Sequence, residues 1–244
     1  MNPVVPAEHM RLDGVSRFAR NGYEIIPALA TEQEVQSLVQ ELTPLLSLQK
    51  QVASTRIGGL RNILKTCPRS ADFARSESVL TLVAEYASRP VFPVRAIFFD
   101  KTPEANWLVP WHQDLAIAVG GRVDVQGYTG WSTKDGVLHV HPPESVLEDM
   151  VTLRLHLDDC TAENGALRVL PGSHLSGKLG APEISRRVPE QPEVVCAVPK
   201  GGAVLMRPLL LHSSRPATKA FHRRVLHIEY ATSKLPAGLN WHDI

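Results

Sequence analysis

The chain has 244 residues, of which 43% are hydrophobic, and its formal net charge is +1. This length is enough for one well-filled core, and all-β sandwiches and barrels reach it as single domains. A charge near zero, with no lysine- or arginine-rich run, argues against nucleic acid or an anionic membrane as the main partner. No basic segment precedes an apolar one near the start of the sequence, and no apolar run approaches about eighteen residues, so we expect neither a signal peptide nor a membrane span.

The three cysteines, Cys67, Cys160 and Cys196, are far apart, and none belongs to a Cys-x-x-Cys pair. An odd and scattered set argues against a disulfide framework and against a thiolate zinc site. We therefore expect a cytoplasmic protein in a reducing environment. The sequence carries no signal for an oligomeric state.

Residues 1–90 are predicted to form a helical support region. Thr31 and Glu34 have the capping-box spacing, in which each side chain satisfies a backbone N–H of the other residue. Apolar residues then follow at helical spacing: Val35, Leu38, Leu42 and Leu45. This pattern predicts an amphipathic helix. A short strand is expected before it, at residues 22–27, and another helix at residues 78–87.

From residue 91 onward, short β-rich runs alternate with turns that contain proline or glycine. The predicted strands are 92–99, 151–157, 166–170, 194–198, 203–206 and 225–230. Several short strands without intervening helical periods are typical of an antiparallel barrel or jelly roll, the architecture that includes cupins. The expected fold is mainly β with flanking N-terminal helices, in one domain over residues 1–244 with its jelly-roll core at 91–244.

Residues 120–148 do not follow this alternation of strands and turns. They contain several glycines and a pair of prolines. A loop-rich stretch of this length inside a compact domain is usually functional or disordered. Tyr128 and Trp131 would be unusual in a disordered linker. We therefore predict a mobile lid over the substrate and name Trp131 as a candidate substrate contact.

Arg56 and Arg61 flank the turn at Gly58-Gly59. They are candidates to bind an anionic group of the substrate, although arginines at the protein surface are the commoner explanation of such a pattern.

Two His-x-Asp pairs occur, His112/Asp114 and His156/Asp158. Residues two apart in a strand point to the same face, so either pair could bind one cation. A further histidine from elsewhere would complete the two-His-one-carboxylate set, which leaves open positions on Fe(II) and is typical of oxygenases. Ten histidines and 25 acidic residues make a chance pair common, so the spacing alone does not choose.

Residues 151–158 alternate strictly between apolar and polar side chains, with Thr152, Arg154, His156 and Asp158 on the polar face. This face either meets solvent or lines a polar cavity. In a cavity, Arg154 is a candidate for a substrate anion, and His156 for a hydrogen bond either to a metal ligand or to the substrate.

Four motifs follow one another in a single order: WHQD at 111–114, ENGAL at 163–167 with PGSH at 171–174, PLLLHSS at 208–214, and FHRR at 221–224. Together they resemble the phytanoyl-CoA dioxygenase family of Fe(II)/2-oxoglutarate oxygenases over nearly the whole chain. The resemblance implies a double-stranded β-helix, the jelly roll of the cupins. It also implies that His112, Asp114 and His212 bind the iron, because the His156 pair lies too close to Asn164-Gly165.

The same resemblance implies that the distal carboxylate of 2-oxoglutarate binds Arg223, eleven residues after His212, and receives a hydrogen bond from Ser214. A guanidinium pairs bidentately with a carboxylate and keeps its charge in a dry pocket. Arg224 is the competitor, because adjacent strand residues face opposite ways. The family spacing favours Arg223.

The implied activity is the oxidation of a small-molecule substrate by O2, with conversion of 2-oxoglutarate to succinate and CO2. Asp114 favours hydroxylation or another oxidation such as desaturation, since halogenating relatives carry a small residue there. One alternative is a non-oxidative cupin-like metal-binding protein or isomerase, in which Arg223 and Ser214 have no purpose. Another is a metal-free interaction domain. An acyl-CoA, an amino acid, a nucleoside or a natural product are all open as substrates.

Overall fold

The computed structural model describes residues 7–52, 59–219, 222–236 and 238–243. Within these ranges the α-helices are α1 (Ala7–Asn21), α2 (Glu32–Val52), α3 (Ile63–Thr66), α4 (Pro68–Arg75), α5 (Glu77–Ala87), α6 (Glu144–Glu148) and α7 (Ala181–Arg187). The strands are β1 (Tyr23–Ile26), β2 (Phe92–Lys101), β3 (Val109–His112), β4 (Ile117–Val119), β5 (Thr129–Lys134), β6 (Val137–His141), β7 (Val151–His156), β8 (Leu167–Val169), β9 (Val194–Cys196), β10 (Ala203–Met206), β11 (His212–Ser214) and β12 (Arg223–Ala231).

The capping box at the start of α2 is confirmed. The backbone N–H of Thr31 donates to Oε2 of Glu34 over 2.7 Å, and the backbone N–H of Glu34 donates to Oγ1 of Thr31 over 3.3 Å. The predicted inner face of the helix needs one correction, because Leu45 is 37% exposed and Leu46 is buried. At 3.6 residues per turn, eleven residues complete about three turns, so Leu46 returns to the face of Val35 and Leu45 does not.

Two antiparallel sheets form the core of the fold, and the prediction of a mainly β protein with N-terminal helices is confirmed. The larger sheet has the strand order β1-β10-β7-β12-β2, and the smaller one has the order β3-β11-β8-β9. The apolar face of β7 packs with helices α1, α2, α4 and α5 in one hydrophobic cluster. Its polar face, which carries Arg154 and His156, points the other way, between the sheets. The helices therefore cover one face of the larger sheet, and its other face meets the smaller sheet.

The expectation that residues 120–148 are loop-rich is wrong. This stretch contributes β5, β6 and α6, and a three-stranded sheet with the order β4-β6-β5 forms here. Asp135 and Gly136 join β5 to β6, with φ angles of 50° and 76°, as a two-residue hairpin turn requires. Tyr128 and Leu147 are buried in a cluster with Trp241. The strands are short and carry polar residues and glycine. They therefore lack the alternation of apolar and polar side chains that predicts a strand.

No helix among the described residues combines the length and the apolar character that crossing a membrane requires.

Candidate active site

Three potential metal ligands meet where β3 and β11 run side by side. His112 ends β3, Asp114 follows it, and His212 begins β11; one ligand atom from each lies within 4.8 Å of the others. Nε2 of His112 is 3.8 Å from Oδ1 of Asp114, and Nε2 of His212 is 3.6 Å from Oδ2 of Asp114. His112 and His212 are direct partners in the strand register. The pairing of two strands therefore assembles the set.

Both imidazole rings are oriented by the backbone. Nδ1 of His112 lies 2.8 Å from the carbonyl oxygen of Pro110, and Nδ1 of His212 lies 2.9 Å from that of Leu210. A carbonyl oxygen only accepts, so each Nδ1 carries a proton, and Nε2, which faces Asp114, is the nitrogen left to bind a metal. Burial lowers the pKa of His212 to about 3, so this ring is neutral at pH 7, as a metal ligand must be.

The carboxylate of Asp114 completes the set. Its Oδ2 atom is buried and has no hydrogen-bond partner. Burial by itself would raise the pKa of Asp114, but His212, His227 and His112 bring it below its usual range, so the group is ionised. A buried carboxylate oxygen without a donor is costly unless a cation satisfies it. Two imidazoles and one carboxylate are the ligands that non-heme Fe(II) takes in oxygenases, and the site fits that ion.

Gln113, between the histidine and the aspartate, points to the opposite side. Its amide donates to the carbonyl oxygens of Gly177 and Leu209 and accepts from the N–H of Leu179. The backbone N–H of Asp114 donates to the carbonyl oxygen of Pro208 over 2.9 Å. These bonds attach the His-x-Asp motif to the segment before β11, so backbone contacts hold the potential ligands near one another.

A cavity of about 240 Å³ opens beside the three ligands and extends between the two sheets. Its charged lining residues are Arg61, Arg95, Asp114, Arg154, Arg223 and Glu229. Apolar side chains of Ile97, Phe99, Trp107, Val109 and Leu167 line it as well. Known ligand pockets of small molecules start at about 300 Å³, so this space suits small ligands.

Arg223 and Arg224 lie on opposite sides of β12. Arg223 lines the cavity, is 3% exposed, and donates from Nη1 to the carbonyl oxygen of Gly165 over 2.8 Å, while its Nε atom has no partner. Arg224 instead pairs with Asp158 through Nε and Nη2, over 2.8 and 2.5 Å. Ser214 lines the same cavity as Arg223. Of these two arginines, only Arg223 is therefore available to a ligand in this space.

The model of the phytanoyl-CoA dioxygenase (PhyH) family matches residues 18–225, which is most of the chain. The chain belongs to the phytanoyl-CoA dioxygenase family. It is 26% identical over 253 residues to an L-proline trans-4-hydroxylase from Streptomyces griseoviridis, a match that covers 90% of this chain and 85% of that protein. This family consists of 2-oxoglutarate-dependent non-heme iron oxygenases, so the predicted enzyme class is confirmed.

Solved structures share the fold of this phytanoyl-CoA dioxygenase family member. AviO1 from Streptomyces viridochromogenes Tue57 is 24% identical, with a TM-score of 0.68 over 93% of this chain and 97% of that one. SnoK, a non-heme alpha ketoglutarate dependent carbocyclase from nogalamycin biosynthesis, is 17% identical, with a TM-score of 0.71 over 96% and 88%. The jelly-roll prediction is thereby confirmed.

Four charged or titratable side chains form a chain of contacts along the cavity wall of this dioxygenase-family protein. Arg154 on β7 bonds Nδ1 of His227 over 2.7 Å, and Nε2 of His227 lies 3.4 Å from Oε1 of Glu229. Glu229 also accepts from Arg95 over 3.0 Å. An arginine only donates, so Nδ1 of His227 accepts and the proton sits on Nε2. Burial lowers the pKa of His227. Arg154 is thus a buried cation whose hydrogen-bond partner is a neutral histidine. The Nε atom of Arg154 has no partner.

Sequence reasoning missed His227, Glu229 and Lys101. The first two follow Arg223 at steps of two along β12, so the alternation that places Arg223 in the cavity also places them there. Lys101 ends β2 and is 1% exposed. It lies two residues after Phe99, on the same face of the strand, which was the available signal.

The two residues of the second His-x-Asp pair, His156 and Asp158, have different surroundings. His156 is 1% exposed, and neither ring nitrogen has a hydrogen-bond partner. Burial, with the charges of Arg154 and Arg223, lowers the pKa of His156 to about 3. Asp158 pairs with Arg224. The described residues contain one cluster of potential metal ligands, and neither member of this pair belongs to it.

The other candidate substrate residues have different positions. Arg61 lines the cavity, and its Nε donates to Asp135 over 2.7 Å while its buried Nη1 has no partner. Trp131 is not among the lining residues; it packs beneath Arg122, whose guanidinium is 5.3 Å from the ring centroid. Arg56 lies outside the described residues, as does Phe221 of the last motif.

Proposed function

We propose that this oxygenase hydroxylates a small-molecule substrate with O2 and 2-oxoglutarate and releases succinate and CO2. In this proposal His112, Asp114 and His212 bind Fe(II), and Arg223 with Ser214 binds the distal carboxylate of 2-oxoglutarate. The observation that supports it best is the convergence of two Nε2 lone pairs and the unpartnered Oδ2 of Asp114 on the wall of a cavity that also contains Arg223.

Bound iron with 2-oxoglutarate supplies the activation of O2 for attack on a C–H bond. The residues of the chain do the binding and the positioning. The backbone carbonyls behind His112 and His212 keep both rings in the ligating tautomer. The guanidinium of Arg223 pairs with the carboxylate, and the surrounding apolar side chains of Ile97 and Phe99 keep water out.

We further propose that the substrate carries an anionic group that binds near Arg154. Arg154 has no carboxylate among its hydrogen-bond partners, and its buried Nε atom is unpartnered. Arg61, with an unpartnered Nη1, lines the same cavity. The cavity of about 240 Å³ would also hold 2-oxoglutarate, so the space left near Arg154 favours a small substrate, such as an amino acid. The similarity to an L-proline hydroxylase agrees with this class. His156 does not line the cavity, so its role as a substrate contact has no support from the geometry.

The lid function of residues 120–148 stays a prediction. The ion pair of Arg61 with Asp135, in the turn between β5 and β6, connects this segment to the cavity lining. Movement of the hairpin would therefore move a lining residue.

The decisive experiment measures succinate formation by the Fe(II)-loaded protein, with a panel of small amino acids and each of their carboxamides. We expect stimulation by at least one free carboxylate and much less by its amide. Binding of metal without any binding of 2-oxoglutarate would contradict the proposal and favour a non-oxidative cupin-like protein. Stimulation by the amides equal to that by the acids would contradict the anionic class only.

A further inference from the structure

A buried lysine lies behind the part of the cavity wall that contains Arg223 and Ser214. Lys101 is the last residue of β2 and the direct partner of Arg223 in the register of β2 and β12. It is 1% exposed. Its ammonium group donates to Oγ of Ser214 over 2.9 Å and to the carbonyl oxygen of Arg215 over 2.8 Å. Both acceptors are neutral, so these bonds leave the charge of the ammonium uncompensated.

The direction of the Lys101–Ser214 bond determines what the hydroxyl of Ser214 can do. A charged ammonium has donors only, so Oγ of Ser214 accepts from it. The hydroxyl proton of Ser214 is then free to donate elsewhere, and Ser214 lines the cavity. If Lys101 were neutral, its nitrogen could accept that proton, and the donor would be lost from the cavity.

We propose that Lys101 is a positioning residue for 2-oxoglutarate, whose charged ammonium orients the hydroxyl of Ser214 towards the distal carboxylate and adds a positive charge beside Arg223. This inference rests on the proposed function, in which Arg223 and Ser214 bind that carboxylate. It makes the binding of 2-oxoglutarate depend on the protonation of Lys101.

Gly165 connects the two cations. Its carbonyl oxygen accepts from Arg223, and a Cβ atom at this position would lie 3.4 Å from Nζ of Lys101 and 2.6 Å from the carbonyl oxygen of Arg215. The glycine thus permits the close approach of both cations to one small region. The backbone carbonyl groups in this region do not balance two buried positive charges. A ligand that carries negative charge would balance them.

The surroundings of Lys101 make its charge responsive to a ligand. Charged and titratable groups near it come from β12, from β7 and from the segment after β7: Arg223, Arg154 and Cys160. The ring of Trp107 lies 5.6 Å from Nζ. Burial, followed by the charge of Arg223, lowers the pKa of Lys101 to about 7. A bound carboxylate favours the charged form and raises this pKa, so 2-oxoglutarate binding takes up a proton near neutral pH.

The sign of the pH effect follows from linkage. Below the pKa of the free protein, the ammonium is already charged and affinity is constant. Above it, each binding event must take up a proton, so affinity falls by up to about tenfold per pH unit until the pKa of the complex is reached. The affinity of this enzyme for 2-oxoglutarate should therefore decrease as the pH rises from 7 towards 9.

The test is anaerobic titration calorimetry of 2-oxoglutarate into the Mn(II)-loaded protein, in buffers of different ionisation enthalpy and at several pH values. Lys101→Met should weaken binding by about tenfold to a hundredfold, as expected for the loss of charge-assisted hydrogen bonds, and should abolish proton uptake. Lys101→Arg, which stays charged, should bind at pH 7 within a few-fold of the wild type and should lose the decrease in affinity at higher pH. Bound Mn(II), at one equivalent per chain, shows that each variant is folded.

A double-mutant comparison separates orientation from charge. If Lys101 acts through the hydroxyl of Ser214, Lys101→Met should cost less affinity in a Ser214→Ala background than in the wild type. Wild-type affinity and proton uptake in Lys101→Met would overturn the inference. If that variant failed to retain Mn(II), an unchanged pH dependence in Lys101→Arg would overturn it instead. Failure of the wild type to bind 2-oxoglutarate would contradict the proposed function itself.

Discussion

Nε2 of His212 lies 3.6 Å from Oδ2 of Asp114, and the backbone N–H of Asp114 donates to the carbonyl oxygen of Pro208, four residues before that histidine. The two potential ligands are distant in sequence, yet the backbone of one is bonded to the segment that leads into the other. This arrangement positions the ligand set before any metal binds. The site should therefore tolerate loss of the metal without unfolding.

The first prediction concerns metal content. His212→Ala should abolish stoichiometric Fe(II) binding and 2-oxoglutarate turnover, because only one imidazole and one carboxylate would be left. His156→Ala is the matched control: another buried histidine that alternates onto the inner face of a strand, but outside the ligand cluster. It should retain close to one iron per chain by elemental analysis. Retention of iron in the first variant, or its loss in the second, would overturn the assignment.

The second prediction separates two adjacent arginines. Arg223→Ala should raise the apparent constant for 2-oxoglutarate by orders of magnitude, since removal of one member of a buried charge pair costs about 3–5 kcal/mol. Arg224→Ala breaks the ion pair with Asp158, which is partly exposed. It should lower thermal stability slightly and leave the 2-oxoglutarate constant within a few-fold. Steady-state succinate formation at varied 2-oxoglutarate compares the two, and the reverse pattern would reject Arg223.

The third prediction concerns Gly165, which has a φ angle of 80° and no space for a side chain. Gly165→Ala should destabilise the protein by about 2–4 kcal/mol, because left-handed strain adds to a clash with the carbonyl oxygen of Arg215. It should also weaken 2-oxoglutarate binding, since the carbonyl oxygen of Gly165 accepts a hydrogen bond from Arg223. Gly136 has a φ angle of 76° with nothing within 4 Å of a built Cβ.

Gly136→Ala is therefore the control for backbone strain alone. It should cost about 1–2 kcal/mol in chemical denaturation and leave the affinity for 2-oxoglutarate unchanged. Equal losses of stability in both variants would show that the clash at Gly165 relaxes without cost.

The fourth prediction is a pH dependence of stability. Burial lowers the pKa of His156 to about 3, whereas an unfolded histidine titrates near 6.5. Between these values the unfolded state binds the additional proton, so His156 lowers stability by up to about 1.4 kcal/mol per pH unit as the pH falls below 6.5. His156→Leu removes this term and two unpartnered nitrogens. The variant should lose less stability than the wild type between pH 7 and 5 in denaturant titrations. Parallel pH profiles would contradict this.

Local patterns in the sequence were sufficient for several features. The capping box at Thr31 and the alternation along β7 are relations between near neighbours, and both are present as expected. The order of four motifs identified the family. In each case the information lies within one element, where helical and strand periods decide which residues share a face.

Contacts between elements were decided only by the tertiary structure. Arg223 and Arg224 have different surroundings because one side of β12 faces the cavity and the other side faces Asp158. Lys101 lies beside Arg223 because β2 and β12 pair in one particular register. The hairpin of β5 and β6 joins a larger sheet because β6 pairs with β4, which lies outside residues 120–148. The period of a strand says which residues share a face. Which partner that face meets depends on long-range register, and no short stretch of sequence contains it.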